Sequence, residues 1–214
     1  MLFALKKVLL ISFLVLAADQ ALKFWVKTHM SLGEAIAVTP WFDLHFVENP
    51  GMAFGMQFGG GAGKLLLTLF RIVISGALLL WIVSLTRRRA PGILVIPLTL
   101  IFAGAVGNII DSMFYGLLFN DPATGTATFL PEAGGYAPLL HGKVVDMFFF
   151  HFWQGDLPAW LPIWGGEPFV FFPAVFNIAD AAVSVGIVLL IIFQGKAFGR
   201  KDAYQKSDRY VGHF

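Results

Sequence analysis

Four long apolar runs divide the 214-residue chain, and each is long enough to cross a bilayer as a helix. A helix needs about 20 apolar residues to span roughly 30 Å of hydrocarbon. The predicted spans are residues 8–26, 65–85, 92–114 and 171–193. This pattern predicts an all-α integral membrane protein with four transmembrane helices.

Between the spans the pattern changes. The spans leave residues 27–64 and 115–170 as connecting segments and residues 194–214 as a tail. Residues 35–46 mix β-branched and aromatic residues with partial alternation, which predicts one or two strands. The glycine run at 59–63 predicts a flexible connection into the second span. No internal repeat is visible, so residues 1–214 are expected to form a single membrane-embedded domain.

Basic residues mark one side of the membrane. Lys6 and Lys7 precede the first span, residues 87–89 are all Arg, and the tail is basic. Basic loops stay on the cytoplasmic side, so both termini are predicted to be cytoplasmic, with residues 27–64 and 115–170 outside. The amino-terminal run also fits a cleavable signal peptide. Against this, apolar residues resume after Asp19 and complete a full span.

Composition supports a membrane protein and excludes several functions. The chain is 57% hydrophobic and 13% charged, whereas a soluble domain carries about 25% charged residues. A net charge of +2 is too small to indicate nucleic acid binding. With no Cys there is no disulfide, thiolate metal site or Cys nucleophile. His141, Asp146 and His151 form no HExxH pattern, so neither a metal nor another cofactor is predicted.

Six acidic or amide residues stand in or beside the apolar runs, all toward the outer face. They are Asp19, Asn108, Asp111, Asp146, Asn177 and Asp180. A charged side chain near the bilayer centre costs about 2.5–3.5 kcal/mol, so such residues are rare and usually functional. Their common depth predicts a polar pocket that opens to the outer side.

The spacing of these residues indicates which side chains share a helix face. Asp19 and Lys23 are four residues apart and can form an ion pair. Two Asn–Asp pairs are spaced by three residues, Asn108 with Asp111 and Asn177 with Asp180, so each amide could orient the carboxylate beside it without neutralising its charge. The first pair is expected at the outer end of span three, and the second about two turns inside span four.

Several functions could use such carboxylates. Two facing carboxylates can share one proton, which allows aspartyl-type hydrolysis of a peptide without a metal or covalent intermediate. The same residues could line the ion or proton pathway of a small transporter, or could form hydrogen bonds between helices. A non-catalytic assembly factor is a further alternative. Spacing alone leaves these open, but polar residues confined to the outer half favour the peptidase over the transporter.

Five motifs, in order along the chain, carry a family resemblance. They are Asp19-Gln20 with Lys23, residues 49–55 (NPGMAFG), residues 104–111 (GAVGNIID), residues 144–147 (VVDM) and residues 176–180 (FNIAD). Together they resemble the lipoprotein signal peptidases (signal peptidase II), bacterial aspartyl proteases with four transmembrane helices.

The resemblance implies a role for each matching residue. It makes Asp146 and Asp180 the catalytic pair. We assign Asp111 to the pocket with a structural role, such as bonding backbone of the outer segments. Residues expected to shape the pocket or support the pair are Asp19, Lys23, Asn49, Gly51, Asn108 and Asn177.

The family also implies a substrate and a location. Its members cleave signal peptides from prolipoproteins, immediately before a cysteine that carries diacylglycerol. They work in the bacterial cytoplasmic (inner) membrane, in contact with lipid, with the active site toward the extracytoplasmic face. A small extracytoplasmic β-sheet cradles the substrate, and globomycin, a cyclic peptide, inhibits them. A monomer is expected.

Two features depart from the family pattern. The family commonly has Arg after the third-span Asp, where this chain has Ser112. Arg71 in span two could supply a replacement charge for substrate binding, or could simply extend to the outer interface. Residues 113–143 and 152–170 are also longer than the compact family pattern, which is consistent with an enlarged outer cap or a lineage-specific insertion.

Overall fold

A computed structural model describes residues 2–50, 60–121 and 125–198. The long helices are α1 (Leu2–His29), α2 (Gly60–Arg87), α3 (Gly92–Ile110) and α5 (Ile178–Phe198). After α3 the chain continues through a π-helical turn, Asp111–Tyr115, into the short helix α4, Gly116–Leu118. Within these described ranges, four helical segments are long and apolar enough to cross a membrane. The prediction of four helices able to span a membrane is therefore confirmed.

Six strands accompany the helices. They are β1 (Ala35–Thr39), β2 (Phe42–Asn49), β3 (Val144–Phe150), β4 (Gln154–Asp156), β5 (Pro168–Val170) and β6 (Val175–Phe176). One antiparallel sheet has the order β1-β2-β3-β6, and β4 and β5 form a separate hairpin. The strands predicted within residues 35–46 are present. Strands β3 and β6 were not predicted, because their apolar residues resemble a membrane span as closely as a buried strand.

The predicted start of the fourth span is wrong. We expected a helix from residue 171, but α5 begins at Ile178. Phe172 has a φ of 61° and precedes Pro173, and the residue before a proline is disfavoured in a helix. Val175 and Phe176 instead pair with β3 as strand β6. Val175 and Phe176 therefore belong to the sheet, although their hydropathy predicted a membrane span.

The boundaries of the second and third spans also differ from prediction. Helix α2 begins at Gly60 instead of residue 65, so Gly60–Gly63 forms its first turn and not the expected flexible connection. The third helical segment continues to Leu118, beyond the predicted end at residue 114. Glycine weakens a helix by only about 1 kcal/mol relative to Ala, which the following apolar turns of α2 can offset.

The described residues group into two compact units, each with its own core. Among the described residues, one unit comprises residues 2–18, 69–109 and 178–198, and the other comprises residues 19–50, 60–68, 110–121 and 125–177. The first core contains Val8, Ile82, Leu94, Val95 and Leu98. The second contains Val26, Met30, Phe46, Tyr115, Phe119, Ala127, Val145 and Met147. The sheet belongs to the second unit, and its β2 and β3 contribute to that core.

Helices α3 and α5 approach closely at Gly104. A Cβ atom on Gly104 would lie 2.2 Å from the carbonyl oxygen of Ala179 and 2.7 Å from Cγ2 of Val183. We therefore expect Gly104→Ala to lower the Tm of the detergent-solubilised protein, because overpacking costs about 1–3 kcal/mol. The matched control is Gly76→Ala in α2, where an added Cβ meets nothing within 4 Å. Equal Tm values for Gly104→Ala and wild type would contradict this packing.

Candidate active site

Asp146 lies inside strand β3 and is only 3% exposed. Its Oδ1 accepts a hydrogen bond from Nδ2 of Asn177 at 2.7 Å, and its Oδ2 accepts one from Nδ2 of Asn49 at 3.3 Å. Val47 is the direct strand partner of Asp146, so Asn49 is its diagonal neighbour on the same face. An amide donor orients a carboxylate without neutralising its charge.

Asp180 occupies the first turn of α5 and is half-buried. Its Oδ1 accepts a hydrogen bond from Nδ2 of Asn108 in α3 at 2.7 Å. We predicted Asp180 two turns inside the span, and the later start of α5 moves it to the helix end. The spacing of three residues suggested that Asn108 would orient Asp111 and Asn177 would orient Asp180. Each amide instead reaches a carboxylate on another element of the chain.

Lys23 joins two buried carboxylates. Its Nζ lies 2.9 Å from Oδ2 of Asp19 and 2.8 Å from Oδ2 of Asp111, and all three side chains are fully buried. The ion pair predicted between Asp19 and Lys23 is therefore present. Gln20 donates from Nε2 to both carboxylates, at 2.9 Å to Asp111 and 3.1 Å to Asp19, and accepts from the Tyr115 hydroxyl at 3.2 Å. The carboxylates thus share one cation and further donors, which buried charges require.

Asp111 also connects this buried cluster to the strand that bears Asp146. Its Oδ2 accepts the backbone N–H of Val145 at 3.1 Å. Val145 is fully buried and directly precedes Asp146. The predicted contact between Asp111 and backbone of the outer segments is present. A displacement of Asp111 would therefore be transmitted to the strand at the position beside Asp146.

The π-helical turn begins at Asp111, where the helix changes its phase. Such turns are rare and occur often at functional sites. Asp111 and Ser112 are both buried within it, although they are adjacent in sequence. In the part of the chain that the structure describes, the Ser112 hydroxyl has no hydrogen-bond partner. This is the position where the family commonly has Arg, and the structure explains neither the buried hydroxyl nor the replacement.

A cavity of about 280 Å³ lies beside Asn108 in the first unit. Its lining includes Arg71 and Ser75 from α2, with an otherwise apolar wall of Phe70, Ile74, Ala105 and Val183. Arg71 is half-buried within a membrane-spanning helix. A mostly apolar cavity with a few polar groups is typical of a ligand site. Arg71 therefore lines this cavity, and its role in substrate binding stays a prediction.

Some residues of the candidate site and of its surroundings were not predicted from the sequence. Tyr115, which bonds Gln20, carries no signal in the apolar pattern. A cluster of ion pairs in the second unit joins the buried Glu48 to Lys27 and Lys143. All three residues lie in the predicted outer segments, where no role was predicted for them. Glu48 directly precedes Asn49, and this adjacency could have indicated its importance. Gly51 lies outside the described residues.

Comparison with known proteins decides the family. The family model described as "Signal peptidase (SPase) II" matches residues 11–195. The chain belongs to the signal peptidase II family. The matched region includes Asp19, Asp146 and Asp180, and the resemblance seen in the motifs is confirmed. This membership does not support the transporter alternative.

Individual relatives agree with the family assignment. The lipoprotein signal peptidase of Porphyromonas gingivalis (strain W83) is 50% identical over 180 residues, covering 84% of this chain and 78% of the relative. That of Amoebophilus asiaticus is 36% identical over 188 residues, covering 85% and 75%. A solved bacterial membrane enzyme shares the fold with a TM-score of 0.58 at 24% identity, covering 89% of this chain and 88% of that one.

Proposed function

We propose that this chain is an aspartyl endopeptidase that cleaves the signal peptide from diacylglyceryl-modified prolipoproteins just before the lipidated Cys. Family membership and the printed names of its relatives support the reaction. The observation that carries the chemistry is that Asp146 and Asp180 each accept a short hydrogen bond from an asparagine amide, both at 2.7 Å. No cofactor is needed for such a reaction.

The proposed mechanism uses Asp146 and Asp180 as a pair that shares one proton. The ionised carboxylate removes a proton from water, and the resulting nucleophile attacks the scissile carbonyl carbon. The protonated carboxyl donates its proton to the carbonyl oxygen, giving a neutral tetrahedral intermediate. Collapse of that intermediate breaks the C–N bond as a proton passes to the leaving amine. A shared proton is favoured because two nearby carboxylates cannot both ionise cheaply.

The surrounding residues have positioning roles in this proposal. Asn108, Asn177 and Asn49 orient the two carboxylates through the amide contacts described above. Asp19, Lys23 and Asp111 hold the buried framework beside β3. Gly51, together with Asn49, is proposed to shape the loop that meets the substrate, as the family motif implies.

The proposed membrane placement is supported by the charge distribution and by the family resemblance. Both termini are proposed to be cytoplasmic, since Lys6, Lys7, residues 87–89 and the tail carry the basic clusters. The sheet and the active site would then face the extracytoplasmic side of the bacterial inner membrane, with residues 1–214 forming one embedded domain. The prolipoprotein would enter laterally from lipid. The protein is proposed to act as a monomer and to be inhibited by globomycin.

Cleavage of a purified prolipoprotein tests this function. The wild-type protein in detergent is incubated with the diacylglyceryl-modified substrate and, in parallel, with the same precursor lacking the lipid. Cleavage of the lipidated precursor alone, mapped to the bond before its Cys by mass spectrometry, is the expected result. An intact lipidated substrate in the presence of folded wild-type protein would contradict the proposal.

Arg71 is proposed to bind the substrate from the cavity beside Asn108. We expect Arg71→Gln to raise KM by about 10–100-fold with little change in kcat, because a hydrogen bond to a charged group contributes about 1.5–3 kcal/mol. A contact made equally in ground and transition states affects KM alone. The matched control is Arg87→Gln, which changes the last residue of α2. An unchanged KM for Arg71→Gln would instead support simple extension of Arg71 to the interface.

A further inference from the structure

A cluster of three charges around the buried Glu48, in the second unit, has no part in the mechanism described so far. Glu48 of β2 is 2% exposed and lies between two lysines. Its Oε1 accepts a hydrogen bond from Nζ of Lys27, and its Oε2 accepts one from Nζ of Lys143 at 2.9 Å. Lys27 is fully buried, whereas the Lys143 side chain is 34% exposed. Glu48 is therefore the group that two cations share.

Aromatic rings enclose the buried cation. Nζ of Lys27 lies 5.1 Å from the ring centre of Tyr136, 5.3 Å from that of Phe119 and 5.9 Å from that of Phe46. These are cation–π distances, and the interaction is strengthened where water is excluded. The Tyr136 hydroxyl accepts the backbone N–H of Lys143 at 2.7 Å, and burial raises the pKa of this phenol above its usual range. The ammonium group of Lys27 therefore lies among aromatic rings, an environment that favours a cation.

The same cluster holds the strand that orients Asp146. Glu48 and Asn49 are consecutive in β2, so their side chains point to opposite faces of the sheet. Glu48 pairs in register with Val145 and faces the core of the second unit. Asn49 faces the other way and donates to Asp146. Anchoring Glu48 therefore sets the position of Asn49 and of the amide that reaches the carboxylate.

We infer that Glu48, anchored by Lys27 and Lys143, is a positioning residue that fixes β2 so that Asn49 holds Asp146 in its reactive orientation. The inference rests on the proposed catalytic role of Asp146. On the other strand, Asp111 fixes β3 through the N–H of Val145. Buried carboxylates therefore anchor both strands: Glu48 anchors β2, and Asp111 anchors β3.

Kinetics of Glu48→Gln test this role. We expect kcat for the lipidated precursor to fall by about 10–100-fold with KM nearly unchanged, since small displacements of a reacting group cost up to about 10²-fold. Asn49→Ala should lower kcat as well. If Glu48 acts through Asn49, the double variant Glu48→Gln, Asn49→Ala should be no slower than Asn49→Ala alone. Multiplicative losses in the double variant would overturn the inference.

A second variant separates positioning from stability. In Lys27→Met, Glu48→Gln no buried cation lacks its partner, so the Tm should recover toward that of wild type while kcat stays low. Recovery of kcat together with Tm would show that the cluster only stabilises the fold. The matched control is Asp43→Asn, an acidic residue of the same strand whose carboxylate lies 3.6 Å from His151. Its kcat should remain that of wild type.

Hydrogen–deuterium exchange gives a reading that does not depend on activity. In Glu48→Gln the backbone amides of β2 and β3 should exchange faster than in wild type, whereas Asp43→Asn should leave those near Asn49 unchanged. Unchanged exchange of β2 and β3 in Glu48→Gln would overturn the inference even in a protein without measurable cleavage. A wild type that fails to cleave would contradict the proposed function but not the anchoring of the strand.

Discussion

Asp146→Asn and Asp180→Asn are each expected to abolish measurable prolipoprotein cleavage while leaving the protein folded and inserted. Each substitution keeps the shape of the side chain but removes the carboxyl that exchanges a proton. General acid–base catalysis by one positioned group contributes about 10²–10⁴-fold, so each kcat should fall by at least that much. The measurement is single-turnover cleavage of the lipidated precursor by purified protein.

The double variant gives the sharper test of a shared role. Because groups that act as a unit lose activity non-additively, Asp146→Asn with Asp180→Asn should be no slower than either single variant. Asp156→Asn in the exposed strand β4 is the control and should cleave at the wild-type rate. A double variant that cleaves at or near the wild-type rate would contradict the aspartyl mechanism.

Lys23→Met is expected to cause the largest loss of stability among single substitutions at the site. Lys23 is the cation between the fully buried Asp19 and Asp111. Its removal leaves two carboxylates close together without a counter-charge, and breaking a buried pair in this way costs about 3–5 kcal/mol. The expected result is a strongly lowered Tm in detergent and a low yield of folded protein.

Two comparisons identify the cause of that loss. Lys6→Met changes an exposed lysine of the same helix and should leave the Tm nearly unchanged. Combining Lys23→Met with Asp19→Asn and Asp111→Asn removes the uncompensated charges and should restore part of the Tm. If Lys23→Met alone melted at the wild-type temperature, the ion cluster would not be what holds α1 to the turn that begins at Asp111.

The sequence predicted the membrane-spanning helices because hydropathy over about 20 residues is a local property. The wrong prediction of a helix at residues 171–177 has the same origin. An apolar run has the same hydropathy whether its residues face lipid or enter a sheet. Only the pairing of Val175 and Phe176 with β3 shows that these two residues belong to a strand. The missed strand β3 is a further example, because its apolar residues surround the acidic residue that was assigned to the membrane edge.

The contacts of the polar residues were likewise predictable only where the partners are close in sequence. The contact between Asp19 and Lys23 was predictable, since residues four apart share a helix face. The contacts of Asn108 with Asp180 and of Asn177 with Asp146 join residues 72 and 31 positions apart, and no local pattern specifies them. Spacing set each asparagine beside one carboxylate, whereas in the structure each asparagine contacts a different one.

By itself the sequence determined the four helices able to span a membrane, the family and the identity of most polar residues of the candidate site. These depend on hydropathy, charge and residue order, which need no long-range contact. Only the tertiary structure decided that Asp146 lies on a strand, that Glu48 is shared by two lysines and that Asp111 bonds the backbone beside Asp146. In each of these arrangements a buried charge or amide is bonded to a group distant in sequence. Only packing of the folded chain brings such groups together.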